Sequence, residues 1–100
     1  MPVAQLILEI AIEHAQSIKD RRQVVRALKD RLRHDFNVSV AELDDAAIWN
    51  RATIGVAAIS SSSSYVLGQL EEVEKAAHRH CVGLGAEIMD SAIMPLDEDF

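Results

Sequence analysis

The chain has 100 residues, 49% of them hydrophobic, with 16 acidic against 10 basic side chains and a formal net charge of −6 at pH 7. That composition fits one small folded domain rather than a disordered chain, and the acidic balance argues against bulk non-specific binding of nucleic acid. A single cysteine, Cys81, excludes an intramolecular disulfide and suits a reducing compartment.

From the N-terminus, residues 3–12 alternate. Leu6, Leu8, Ile10 and Ile12 share one face, and Gln5, Ile7, Glu9 and Ala11 the other, which is the signature of a half-buried strand. No basic region opens this segment, and Glu9 and Glu13 interrupt its apolar run far short of the ~20 residues that span a bilayer, so a cytoplasmic location without membrane contact is expected.

Ser17 then offers an N-cap, with Asp20 three residues on as an acidic variant of the capping box. Ile18, Val25, Leu28, Leu32 and Phe36 form an apolar helical stripe, with Val24 at its edge, and the helix is expected to end near Phe36-Asn37. Residues 38–43 alternate as a second strand, residues 44–50 form a hairpin-type connection, and residues 52–59 alternate as a third strand.

The serine run Ser60 to Ser64 reads as a loop feeding a second helix. That helix stacks Val66, Leu70, Val73, Ala77 and Cys81 on one stripe, carries Glu71, Glu72, Lys75 and Arg79 outside, and is stopped by Gly83 and Gly85. Residues 86–94 give a fourth strand, and the domain at 1–96 is followed by an acidic tail at 97–100.

The order β-α-β-β-α-β buries both helical stripes if a four-stranded antiparallel sheet, in the order 4-1-3-2, carries both helices on one face. This is an α+β, ferredoxin-like arrangement. Its core takes Leu6, Leu8, Ile10, Val38, Val40, Ile54, Val56 and Ile88. Its open face shows small and apolar residues with few charges, among them Gln5, Ile7, Ala41, Gly55, Ala57, Ile59, Met89 and Ile93. A surface of that kind suits a homodimer.

Charge is distributed unevenly. Residues 17–36 hold seven basic and three acidic side chains, whereas the rest of the chain holds three basic and thirteen acidic. Lys19, Arg22, Arg26, Lys29 and Arg33 fall within an arc of about 80° beside the apolar stripe, while Arg21 and Arg31 lie off it. Such a row can follow a phosphate backbone.

Residues 17–22 (SIKDRR), 28–33 (LKDRLR), 36–42 (FNVSVAE), 48–52 (IWNRA) and 54–57 (IGVA) together resemble the YlxP-like family of small bacterial proteins of unknown function. The resemblance covers about residues 3–94. The serine run and the acidic tail depart from it. It implies a ferredoxin-like fold and a role linked to RNA or the ribosome, with no established activity and no catalytic residues.

Further candidates are few. Trp49 and Arg51, in and after the connection, suit a partner contact, although a Trp here more often folds back as a lid on the core. His78 and Cys81 are the only metal pair at helical spacing, and two ligands do not make a site. His14 and His34 read as solvent groups. Asp44 and Asp45 are adjacent on an alternating segment and do not share acid–base work. No Gly-rich phosphate loop, nucleophile elbow or zinc knuckle occurs.

The expectation is therefore a non-enzymatic accessory protein without metal or cofactor, contacting ribosomal RNA or a ribosomal subunit through Lys19, Arg22, Arg26, Lys29 and Arg33, with no specificity for DNA. The alternative is a protein–protein adaptor or structural homodimer whose basic helix pairs with an acidic partner or with its own Glu-rich second helix.

Overall fold

In the computed structural model, which describes residues 2–44 and 48–96, the chain runs β1 (Val3–Ala11), α1 (Ile18–Asp35), β2 (Ser39–Glu42), β3 (Arg51–Ile59), α2 (Ser63–Leu84) and β4 (Glu87–Pro95). The strands form one antiparallel sheet in the order β2-β3-β1-β4, which is the expected 4-1-3-2 read from the other edge. The two crossovers put α1 and α2 against each other, with α1 over β2 and α2 over β1, β3 and β4. Among the described residues no helix is long and apolar enough to cross a membrane. The acidic tail at 97–100 and Asp45 lie outside the described residues.

The alternation in β1 becomes the centre of the core. Leu6, Leu8 and Ile10 are shut away from solvent with Ile54 and Val56 of β3 and with Val25, Leu28, Leu32, Val66, Leu70 and Val73 of the helices. Each such side chain contributes about 1.5–3 kcal/mol of transfer free energy. Cys81 belongs to this layer.

Local signals fix the helix ends. Ser17 Oγ accepts from the Asp20 N–H at 3.1 Å, and Asp20 Oδ2 accepts from the Gln16 N–H at 3.0 Å. The cap is reciprocal, but its carboxylate reaches one residue further back than in the usual box. Ser62 caps α2 by accepting from the Tyr65 N–H, so the serine run divides into a loop and cap at 60–62 and a first helical turn at 63–64. Helix α2 passes through Gly83 and stops only at Gly85, whose φ of 71° is the left-handed conformation that glycine adopts without a Cβ clash.

One strand departs from the sequence reading. Ile10 pairs with Ile88, but Glu9 pairs with Asp90, so Met89 is an extra residue in β4. A bulge of this kind reverses which face the following side chains occupy. Ile93 therefore packs against the core instead of standing on the open face, and Ala92 and Met94 take its place there. Ser91 confirms the switch by donating from Oγ to Glu74 Oε2 on α2 at 2.7 Å. On the open face, Leu43 lies over Gly55, where an added Cβ would stand 2.7 Å from Leu43 Cδ1 and push that side chain aside.

The bulge orders two substitutions. Ile93→Ala should cost about 1–2 kcal/mol, and Met89→Ala, at a site 51% exposed, should stay within about 0.5 kcal/mol. Urea denaturation of both variants checks this, and the reverse order would mean that the bulge is misplaced.

Candidate nucleic-acid interface

Helix α1 carries its cations in two classes. Lys19, Arg22 and Arg26 are exposed and Lys29 is half-buried, and none of the four has a hydrogen-bond or ion-pair partner among the described residues. Two shallow features meet here: Lys19, Arg22, Gln23, Arg26, Ala27 and Asp30 line one depression, while Arg22, Arg26 and Lys29 also border a second one toward Glu42. Arg33 completes the row but is partly committed. Its Nη2 donates to the Val40 carbonyl at 2.6 Å and its Nη1 lies 3.7 Å from Asp30 Oδ1. From Lys19 to Arg33 the row spans about 21 Å at 1.5 Å per residue.

The pairing of this row with the acidic second helix, part of the alternative reading, is not what the side chains do among the described residues. Glu72 faces Lys75 within α2 at 3.4 Å, and Glu74 is held by Ser91. The contact between the helices instead uses Asp35, whose two oxygens lie 3.2 Å from His34 Nδ1 and from His80 Nε2. Hydrogen bonds from His34 first and His80 second hold the Asp35 carboxyl below its ordinary range.

The second class of cation is Arg21, which the sequence reading set aside as off the arc. It is 2% exposed, in a core otherwise built of apolar side chains. Its Nε donates to the carbonyls of Ile48 at 3.1 Å and Arg51 at 2.9 Å, its Nη1 to Glu42 and its Nη2 to Asp44 at 2.7 Å. Asp44 also accepts from the Thr53 N–H at 3.0 Å. Burial alone would lower the Arg21 pKa, but the hydrogen bonds to Glu42 and Asp44 and their charge outweigh it and hold the value above the ordinary one. The signal for this role was available. At about 100° per residue, Arg21 projects between Leu28 and Leu32, in the middle of the apolar stripe, where a cation needs partners.

The same clamp corrects the expectation for Trp49. The connection turns its Ile48 and Arg51 carbonyls inward to Arg21, so the side chains of this stretch turn outward. Trp49 is 49% exposed and does not cover the core. Arg51 is exposed at the start of β3, and both residues stand beside the N-terminal half of α1. Asp44 is occupied by Arg21 and Thr53, which leaves it no free carboxylate oxygen for shared acid–base work. Cys81 is buried, and desolvation pushes its thiol up to about 11, which removes it as a nucleophile. Among the described residues no group of three or more His, Cys, Asp or Glu side chains is placed to hold a metal.

A family model described as "Protein of unknown function (DUF503)" matches residues 3–92. The chain belongs to this family. It is 35% identical to the "Uncharacterized protein YlxP" of Bacillus subtilis (strain 168) over 65 residues, which is 65% of this chain and 71% of that protein. This relative carries the same name as the family that the motifs in 17–57 resemble.

Solved structures share the fold at low identity. A de novo designed protein with a ferredoxin fold superposes with a TM-score of 0.52 at 10% identity, over 95% of this chain and 83% of its own. A C-terminal segment of the alpha subunit of aIF2 from Pyrococcus abyssi gives 0.51 at 15%, over 98% of this chain and 53% of that one. A hydantoinase/carbamoylase family amidase from Burkholderia ambifaria gives 0.54 at 11%, over 96% and 28%. The chain thus spans about half of the aIF2 segment and under a third of the amidase. These likenesses concern the fold alone.

The two classes of cation should separate on mutation. Arg21→Met strands Glu42, Asp44 and two carbonyls and should cost about 2–4 kcal/mol, whereas Arg22→Met should stay within about 0.5 kcal/mol. Thermal unfolding of the two variants distinguishes them, since about 4–8 °C is lost per kcal/mol in a domain of this size. Equal losses would mean that Arg21 does not anchor the connection.

Proposed function

We propose that this protein is a non-enzymatic accessory protein that contacts RNA, in the setting of the ribosome, through the outer face of α1. Lys19, Arg22, Arg26 and Lys29 make the phosphate contacts, Arg33 extends the row with its remaining N–H groups, and Trp49 and Arg51 flank the row as further contact residues. One observation carries this reading: four cations in a chain of net charge −6 have no protein partner among the described residues, although acidic groups are abundant elsewhere. At physiological salt the Debye length is about 8 Å, so a ligand beside this face feels the local row more than the acidic remainder. The buried thiol of Cys81 and the occupied carboxylate of Asp44 support the non-enzymatic part of the proposal.

Co-sedimentation with ribosomal subunits across a salt series tests it. Four phosphate contacts predict a log–log slope of about −2.8 to −3.6, hence a loss of about 50- to 150-fold between 50 and 200 mM salt. Arg22→Glu with Arg26→Glu should abolish binding while circular dichroism stays unchanged, because both side chains are exposed. Absence of binding at low salt would remove the RNA reading and leave an acidic protein as the partner of this face.

A second reading concerns the other side of the molecule. Leu43, Ile59 and Met94 stand exposed on the open sheet face among Ala41, Ala57 and Ala92, and an apolar surface of this kind suits a second copy of the chain. Sedimentation equilibrium over a concentration series should show a dimer that Ile59→Glu returns to monomer. A wild-type chain that stays monomeric throughout would end this reading.

A further inference from the structure

Resting on the reading that α1 contacts RNA, we infer that the RNA it holds is a double-stranded segment, gripped on its phosphates without regard to sequence.

The first reason is the form of the cation row. Lys19, Arg22, Arg26 and Lys29 project from one 18-residue helix whose N-terminus is capped by Ser17 and Asp20 and whose inner side is clamped by Arg21, so the points where they are rooted are fixed along about 15 Å while their head groups can still adjust. A row rooted at regular intervals is best matched by charges that recur at regular intervals. A duplex presents its phosphates at fixed positions and high density, whereas a single strand must be ordered to meet the same row. Ala27, the smallest side chain lining the depression between these cations, lets a backbone approach the helix closely.

The second reason is the lack of a stacking platform. Single strands are held by aromatic side chains on which successive bases stack, usually across a sheet in this fold. The open face here has no aromatic residue among those described and carries the carboxylates of Glu9 and Asp90, which repel phosphate. Only Trp49 and Tyr65 are exposed aromatics among the described residues. Trp49 follows Ile48, whose carbonyl accepts from Arg21 near one end of α1, and Tyr65 shares a depression with Phe36 at the other. The two ends are about 22 Å apart along the helix, too far to stack consecutive bases. Each can at most meet a single base or the end of a duplex.

The third reason concerns readout. Among the described residues none of Lys19, Arg22, Arg26 and Lys29 is backed by a hydrogen-bonding partner that would fix it for a base edge, as direct readout demands, and charge alone positions without specifying. Duplexes of different sequence should therefore bind alike.

The experiment uses the full chain with blunt 20-base-pair RNA duplexes of two unrelated sequences and with one of their single strands, by fluorescence anisotropy across a salt series. With four contacts, counterion release makes the duplex slope steeper than the single strand's by about 0.8, which favours the duplex by about four- to fivefold at 0.15 M salt relative to equal affinity at about 1 M. The two duplexes should agree within about twofold, and Arg22→Ala with Arg26→Ala, which removes two contacts without reversing their charge, should lower the duplex slope by about two. Equal or tighter binding of the single strand, or strong discrimination between the two duplexes, overturns this inference and leaves RNA contact through α1 standing. If neither duplex nor strand binds at low salt, the inference and the RNA reading fall together.

Discussion

A cation buried in the core organises one end of this molecule. Removing a guanidinium from water is costly unless its donors are paired, and Arg21 meets that demand with two carboxylates and two carbonyls. Those partners come from the end of β2, the connection after it and the start of β3. One side chain therefore joins α1 to three successive segments of chain. Because Asp44 also accepts from the Thr53 N–H, the clamp extends the β2–β3 pairing past the last regular pair, where the Leu43 N–H donates to the Thr53 carbonyl at 2.8 Å.

The outward face of the connection follows from this inward one. With the carbonyls of Ile48 and Arg51 turned to Arg21, the side chain of Ile48 is left 60% exposed and that of Trp49 nearly as open. Helix α1 thereby separates two uses of the same residue type. Arg21 projects among the leucines and spends its charge inside the protein. The residue after it, about 100° around the helix, keeps its charge for solvent or a ligand. Arg33 stands between the two uses, since it caps the outward Val40 carbonyl of the edge strand β2 and remains half exposed. Capping that carbonyl also blunts an edge that would otherwise invite another strand.

Much of the fold was legible because its signals are local. The alternation of Leu6, Leu8 and Ile10, the cap at Ser17, and the serine-rich start and glycine-rich stop of α2 each depend on a few neighbouring residues and the geometry of the backbone. The helical arc of Lys19, Arg22, Arg26, Lys29 and Arg33 was legible for the same reason. The bulge at Met89 was not, because an extra residue in an edge strand is defined only against its partner β1, and it moved Ile93 from the open face to the core. The stop of α2 at Gly85 instead of Gly83 depended on which glycine reaches the left-handed conformation, which both residue types permit equally.

By itself, the sequence determined the order of elements, the sheet that two apolar helical stripes require, the polarity of the first helix and membership in a family. These follow from periodicity and from short motifs, which are properties of neighbours along the chain. Only the tertiary structure decided that Arg21 is a core residue with Glu42 and Asp44 as its counter-charges, that Trp49 faces outward, and that Lys19, Arg22, Arg26 and Lys29 have no partner among the described residues. Whether a charge is spent or free depends on what the fold brings within about 4 Å of it, and its partners here lie more than twenty residues away.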